Sequence, residues 1–476
     1  MSQDYWRLAA TEVVALLRRR EASARVITQS VLDRVAAVNP RINALVTTDV
    51  EAALASADAA DAAAARGEWL GPLHGVPVTI KINIDVAGQA TTDGAVALKD
   101  NIAQTDSPLV THLRRAGAVI IGRSNAPAFS LRWFTDNELH GRTLNPFDAA
   151  VTPGGSSGGA AAAAATGMGA IHHGNDYGGS IRHPAWCCGV VGLRTTVGRV
   201  PAFKGSAPNR IISNQLMSVQ GPLTRTVADA RLALEVMAQG STLDPNWVPA
   251  PIAFASDSVA GAPPRVAVFK RHAAYDADPT VVAAIEQAAE WLQAAGYDVI
   301  EAEPPHFEEG AELWRTLVYD DLRRAGLPAI ELMGDTAVKR NLEFVYHGRP
   351  GLDRDAYLDA LSRRLAIARE WSQFFDDYPV LLMPNSWSRQ FAVDADTVSV
   401  AAMNQLIRAQ SPLLGTAMMG LPGLAVPTGV VAGLPVGVQL VSHKFREDLL
   451  LRVGADIERA AQFSALPHLA PDATRS

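Results

Sequence analysis

Cysteine is scarce here: 476 residues contain two, Cys187 and Cys188, and they are neighbours. Adjacent cysteines cannot staple distant segments, so no disulfide framework is expected. Both are read as small apolar side chains bound for the interior. No run of about 18 strongly apolar residues occurs, which excludes a membrane-spanning helix. The first twenty residues carry acidic side chains and no continuous apolar stretch, so they do not read as a secretory signal. A cytoplasmic protein is the expectation. Neither charge sign dominates, with 42 Lys and Arg against 49 Asp and Glu and a net charge of −7. That gives no electrostatic footprint for nucleic acid. There is no H-E-x-x-H run, no spaced cysteine pair and no carboxylate cluster with ligand spacing, so no metal is expected.

Apolar residues, by contrast, make up 48% of the chain, enough for a large core. Ser23 is placed to cap a helix in which Ile27, Val31, Val35 and Val38 recur at helical spacing, ending at Asn39-Pro40. An alanine-rich helix runs from about Val50 to Ala65, with Gly67 as its terminator. Val76 to Ile80 reads as a β-branched strand ending at Lys81. Ala118 to Gly122 reads as a second, buried strand, with a helix through Leu109 to Arg115 before it. Apolar strands alternating with helices indicate an α/β layer architecture. Further on, 240–264 reads as a Pro-, Ala- and Ser-rich surface connection. Arg265–Phe269 and Tyr378–Pro384 read as strands, Pro279–Ala295, Arg354–Phe375 and Asp448–Ala461 as helices, and Gly433–Leu440 as a hairpin-like return. Late segments are expected to rejoin the sheet begun early. One domain over residues 1–476 is therefore expected, with a variable, more helical stretch at about 240–400.

Three short segments carry chemistry. Lys81 ends Val78-Thr79-Ile80-Lys81. Gly154-Gly155-Ser156-Ser157-Gly158-Gly159 runs directly into Ala160–Ala165. Gly174-Asn175-Asp176-Tyr177-Gly178-Gly179-Ser180-Ile181-Arg182 sets two glycines before a serine. A serine hydroxyl is a weak nucleophile until a base takes its proton. Lysine can be that base only when burial or neighbouring charge keeps it neutral. Successive free N–H groups in a glycine loop make a concavity for an anion, which a tetrahedral acyl-transfer intermediate needs. The first run also fits G-x-S-x-G, the nucleophile elbow. An elbow needs a strand directly before it, and Pro153 makes Ala149–Pro153 a poor one. His172 and His173 invite a Ser-His pairing, but that would leave Lys81 and Ser156 unexplained, and a structural role is expected for both.

Together these motifs resemble the amidase signature family. Ser156 and Ser180 are 24 positions apart (180 − 156), the family's usual interval. The segments Gly141-Arg142-Thr143-Leu144-Asn145-Pro146, Gln220-Gly221-Pro222-Leu223-Thr224-Arg225 and Gly433-Leu434-Pro435-Val436-Gly437-Val438-Gln439 match further family segments in order. The resemblance implies an amidase signature fold, a single α/β/α domain with a central mixed β-sheet. It implies Ser180 as nucleophile, Ser156, preceded by a cis peptide, as relay, and Lys81 as base. The oxyanion hole then falls to the backbone N–H groups of Tyr177, Gly178, Gly179 and Ser180, with no cofactor. Ser157, Asp176 and Arg182 are expected to support the triad, with plain ion pairing an equal reading for the charged two. Leu131, Trp133, Phe134 and Tyr177 are candidates for an apolar acyl pocket. The chain departs from the family where Asp, Thr and Glu are common, with Ile82, Asn175 and Ala128 respectively.

The expected reaction is hydrolysis of the C–N bond of a small-molecule amide, with esters and carbamates open as substrates and a homodimer open as the assembly. Two other readings stay open. One is a glutamine amidotransferase subunit of a tRNA-modifying complex. The other is a non-catalytic binding protein on the same fold, although such relatives lose the lysine or a serine.

Overall fold

A computed structural model describes residues 4–252 and 263–466. Short β-branched and apolar runs become eleven strands: β1 (Leu45–Thr47), β2 (Pro77–Lys81), β3 (Val119–Ser124), β4 (Ile171–Asp176), β5 (Val191–Arg194), β6 (Val219–Thr224), β7 (Val266–Val268), β8 (Val299–Glu301), β9 (Val380–Met383), β10 (Gly423–Val431) and β11 (Leu434–Ser442). They form one sheet in the order β1-β3-β2-β4-β6-β5-β10-β11-β9-β7-β8. Pairing is mixed. β2 runs parallel to β3 and β4, and β7 parallel to β8 and β9, whereas β10 and β11 are antiparallel. The late strands thus rejoin the early ones, and the molecule is a single α/β domain around a mixed sheet.

Side chains along a strand alternate between faces, and both faces are covered. Val380 and Leu382 of β9 enter one apolar core, while Leu381 and Met383 enter another on the opposite side. Strands buried on both faces read as continuous apolar runs, as β2 and β9 do. The Ala-rich helix Gly158–Thr166 is buried along its whole length against β4, a fit that only small side chains allow. At the β10–β11 turn Ala432 and Gly433 both take positive φ, the two-residue hairpin loop that fits the strands' twist.

Local signals set most helix ends. Ser23 Oγ accepts the Val26 N–H at 3.2 Å, and Asp49 caps Val50–Ala65 in the same way. The first of these helices, however, does not stop at Asn39-Pro40. It spans Ala24–Ile42, with Pro40 in its last turn. Its end is set by Asn43, left-handed at φ 53, whose N–H reaches the Asn39 carbonyl. The Asn39 side chain then accepts the N–H groups of Ala44 and Leu45. Part of the 240–264 connection, residues 253–262, lies outside the described residues. The stretch 240–400 is helical at Pro279–Ala294, Phe307–Ala325, Leu327–Met333, Thr336–Tyr346 and Arg354–Asp377, yet it also supplies β7, β8 and β9. Cys187 and Cys188 are buried and free, and burial pushes both thiols up. Among the described residues no helix is long and apolar enough to cross a membrane.

Candidate active site

The parallel pairing of β2 with β4 places Thr79 opposite His172, so Lys81 at the end of β2 lies beside the end of β4. The serine-rich run packs alongside. Gly155 has to be glycine because a Cβ there would meet the Phe134 nitrogen at 2.6 Å. The Gly155–Ser156 peptide is cis, as the resemblance implied. Ser157 then precedes the buried alanine helix, and its N–H reaches the Ser180 carbonyl at 3.2 Å. The two serine motifs are thereby joined side by side.

Lys81 is fully buried, and its side-chain nitrogen makes contacts to Ser156 Oγ at 2.7 Å, Ser157 Oγ at 3.0 Å and Asn175 Oδ1 at 2.7 Å. No carboxylate is among these partners. Burial brings its pKa down to about 7, against a weaker upward pull from Asp93 and Asp176. A lysine held there is available as a neutral amine near neutral pH. No hydrogen bond joins Ser156 to Ser180; such contacts often tighten only when substrate is bound. Ser180 is 8% exposed, against 1% for Ser156, so it is the more accessible serine.

Asp176 closes the loop from behind. It sits between the guanidinium groups of Arg182 and Arg194, all three side chains fully buried, and these cations hold its carboxyl well below the usual range despite burial. The same carboxylate accepts the Gly179 N–H at 2.8 Å and the Ile181 N–H at 3.2 Å. Asp176 and Arg182 are therefore an ion pair and a loop support at once. Arg194 and Gln439, which bonds Arg182 at 2.6 Å, complete this network. Neither was singled out from sequence for that role, since both arrive from distant strands.

The Gly179 N–H is thus committed to Asp176, leaving Tyr177, Gly178 and Ser180 as backbone donors without a partner among the described residues. Trp133 is buried and gives its indole N–H to the Gly178 carbonyl at 3.0 Å. Phe134 is buried against Phe391. Leu131 is half-buried beside Leu322 and Ile330. Ala128, where the family commonly has Glu, is buried in that apolar cluster, and Ile82 is buried as well. Asn175, read from sequence only as a departure, proves to be a direct partner of Lys81.

His172 and His173 are buried within β4, bonded to Thr79 and Gln220 rather than to a serine. Burial lowers both to about 3, so neither carries charge near neutrality. No strand precedes Gly154, because Val151 makes only an isolated bridge to Ala392, and the elbow reading fails with it. Among the described residues no cluster of His, Cys, Asp and Glu could hold a metal ion.

The family model Amidase matches residues 26–451. An indoleacetamide hydrolase of Bradyrhizobium diazoefficiens is 42% identical over 96% of this chain and 87% of that protein. A glutamyl-tRNA(Gln) amidotransferase subunit from Moorella thermoacetica is 34% identical over 97% of this chain and 98% of its own. The solved structure of a 6-aminohexanoate cyclic dimer hydrolase with its substrate superposes with a TM-score of 0.83 at 26% identity, over 97% of this chain and 98% of that one. With the family model spanning nearly the whole chain and likeness of this extent on either side of it, the protein belongs to the amidase signature family, hydrolases that act on the C–N bonds of amides.

Proposed function

We propose that this protein hydrolyses small-molecule amides bearing an apolar aryl or alkyl acyl group, through an acyl-enzyme on Ser180. The observation that carries this reading is the uncharged setting of Lys81. A neutral amine has two N–H donors and one lone pair. Asn175 Oδ1 can only accept. Ser157 Oγ turns its own proton toward the Asn175 carbonyl at 3.4 Å, so it too accepts from Lys81. Both N–H groups are then used, and the lone pair falls on Ser156.

Lys81 takes the Ser156 proton as Ser156 takes that of Ser180. The Ser180 oxygen bonds to the substrate carbonyl carbon, whose oxygen becomes an anion facing the free N–H groups of Tyr177, Gly178 and Ser180. Collapse breaks the C–N bond, and the amine leaves with the proton returned along the same path. Water, activated by the same relay, then attacks the ester, and the acid departs. Leu131, Trp133 and Tyr177 are the candidate lining of the acyl side.

The 42% likeness to an indoleacetamide hydrolase supports arylacetamides as the first class to test, with ammonia as the leaving group. Esters and carbamates present the same carbonyl to the same nucleophile and are expected to be secondary substrates. The deciding experiment is a panel of indole-3-acetamide, an arylacetate ester, an aryl carbamate and glutamine, read by ammonia, alcohol or acid release. Hydrolysis of the arylacetamide by the chain alone, lost in Ser180→Ala, is the expected result. Glutaminase activity seen only with partner subunits would replace it with the amidotransferase reading. No turnover of any amide, with Lys81 and both serines intact, would favour a binding role.

A further inference from the structure

Two tryptophans from separate parts of the chain grip the loop that carries the nucleophile. Trp314, on the helix Phe307–Ala325, donates its indole N–H to the Tyr177 carbonyl at 2.7 Å. Trp133, just after β3, donates to the Gly178 carbonyl at 3.0 Å. Both rings are buried, at 5% and 8% exposure. The Trp314 ring lies so close to Gly178 that a Cβ there would meet it at 2.4 Å. Leu413 stands against Gly179 in the same way, at 2.6 Å.

In a trans peptide the C=O and the following N–H lie in one plane and point in opposite directions. Fixing the Tyr177 carbonyl on Trp314 therefore turns the Gly178 N–H to the side away from that indole. Fixing the Gly178 carbonyl on Trp133 turns the Gly179 N–H away likewise, and there Asp176 receives it. Each peptide plane is thus held by an indole, and the Gly178 N–H is left for a ligand. Between two glycines the backbone would otherwise rotate freely. Tyr177 is tied down too, since its hydroxyl donates to Ser213 Oγ at 2.6 Å and Ser213 donates to Asp321 at 2.7 Å.

We propose that Trp133 and Trp314 are positioning residues that aim the Gly178 N–H at the oxyanion formed during turnover, so that a helix outside the shared motifs sets the reaction rate. This rests on Ser180 being the nucleophile. A single oxyanion donor is worth about 10²–10³ in kcat. A donor that is kept but loosely aimed should cost less, about tenfold to a hundredfold.

The test compares Trp133→Phe and Trp314→Phe with variants carrying 3-benzothienylalanine at each position, where sulfur replaces the N–H and the ring shape is kept. For each, kcat and KM on an arylacetamide and the melting temperature are measured, with Ser180→Ala alongside. The expected result is a fall in kcat of at least about tenfold in the benzothienyl variants, with KM within about twofold and the protein fully folded at the assay temperature, the lost bond lowering the melting temperature only modestly. A kcat within about twofold of wild type in those variants overturns the proposal, as does a fall in kcat no larger than the fraction of protein unfolded at the assay temperature. Turnover by Ser180→Ala overturns it by removing its nucleophile. An inactive Ser180→Ala with fully active benzothienyl variants overturns the indole role alone.

Discussion

Replacing Asn175 with Asp changes one atom pair at 2.7 Å from the Lys81 nitrogen and tests whether that amine works as a neutral base. The carboxylate is isosteric with the amide, so the packing stays and only the charge changes. Two unit charges 4 Å apart interact by about 1 kcal/mol in water and about 4 kcal/mol at the effective dielectric of a protein site. At about 1.4 kcal/mol per pKa unit, the carboxylate should raise the Lys81 pKa by about one to three. Lys81 starts near 7, with Asp93 and Asp176 already pulling it upward against burial. Stabilising the ammonium removes the free base at neutral pH, so activity at pH 7 should fall by about fivefold or more and recover on the alkaline side. The rising limb of the kcat/KM–pH profile should move from about pH 7 to about pH 8 or beyond. Asn175→Leu is the control. It removes the acceptor without adding charge, so activity falls but the limb does not move alkaline. The measurement is amide hydrolysis from about pH 5.5 to about pH 10, spanning both limbs. A limb unmoved by Asn175→Asp, or a uniform fall at every pH, would refute Lys81 as the base.

Other outcomes follow from the same buried charges. Lys81→Met should stabilise the fold at about pH 6 by about 2 kcal/mol, the relief of burying a lysine less the bonds it makes. Because the native pKa is depressed from 10.5 to about 7, that penalty is full below pH 7 and fades as pH rises toward 10.5. Urea unfolding should therefore show the gain at about pH 6 and none at about pH 9.5, and an equal effect at both would contradict the buried-amine reading. Asp176→Asn should cost about 3–5 kcal/mol by stranding the guanidinium groups of Arg182 and Arg194, visible as a large drop in melting temperature. A variant as stable as wild type would show that the pair contributes little. His172→Gln and His173→Gln should keep the pH limb near 7, since burial holds both histidines near 3. A displaced limb in either would assign the titration to imidazole.

Much of the sheet could be read from sequence because its strands are buried on both faces. Val76–Ile80, Ala118–Gly122 and Tyr378–Pro384 are nearly unbroken apolar runs, and each appears within a residue or two of its expected place. The helix through Pro40 misled because the signal that ends it is not proline. It is the left-handed Asn43 together with the Asn39 side chain, a cap whose logic depends on where β1 begins. The hairpin return at Gly433–Leu440 was legible from its turn. Its partner strand β10, with Gly423, Pro427 and Gly429 and a register shift between the last two, lacks any regular alternation to read.

The site divides along a similar line. Ser156 and Ser180 stand out because glycines bracket them and the backbone cannot approach so closely without glycine, whereas Lys81 and the roles of all three rest on the family resemblance. What holds those residues is spread over the chain. Asn175 lies within a motif yet appeared there only as a deviation. An amide that accepts but cannot ionise becomes meaningful once the lysine is seen to have no carboxylate partner. Trp314 lies 137 positions from the carbonyl it grips, on a helix whose apolar spacing reads as ordinary core. No local pattern separates an indole that fills space from one whose N–H fixes a peptide plane, since both are buried and both face inward. The chemistry is thus written in short-range glycine and serine spacing, while the control of that chemistry is written in long-range contacts.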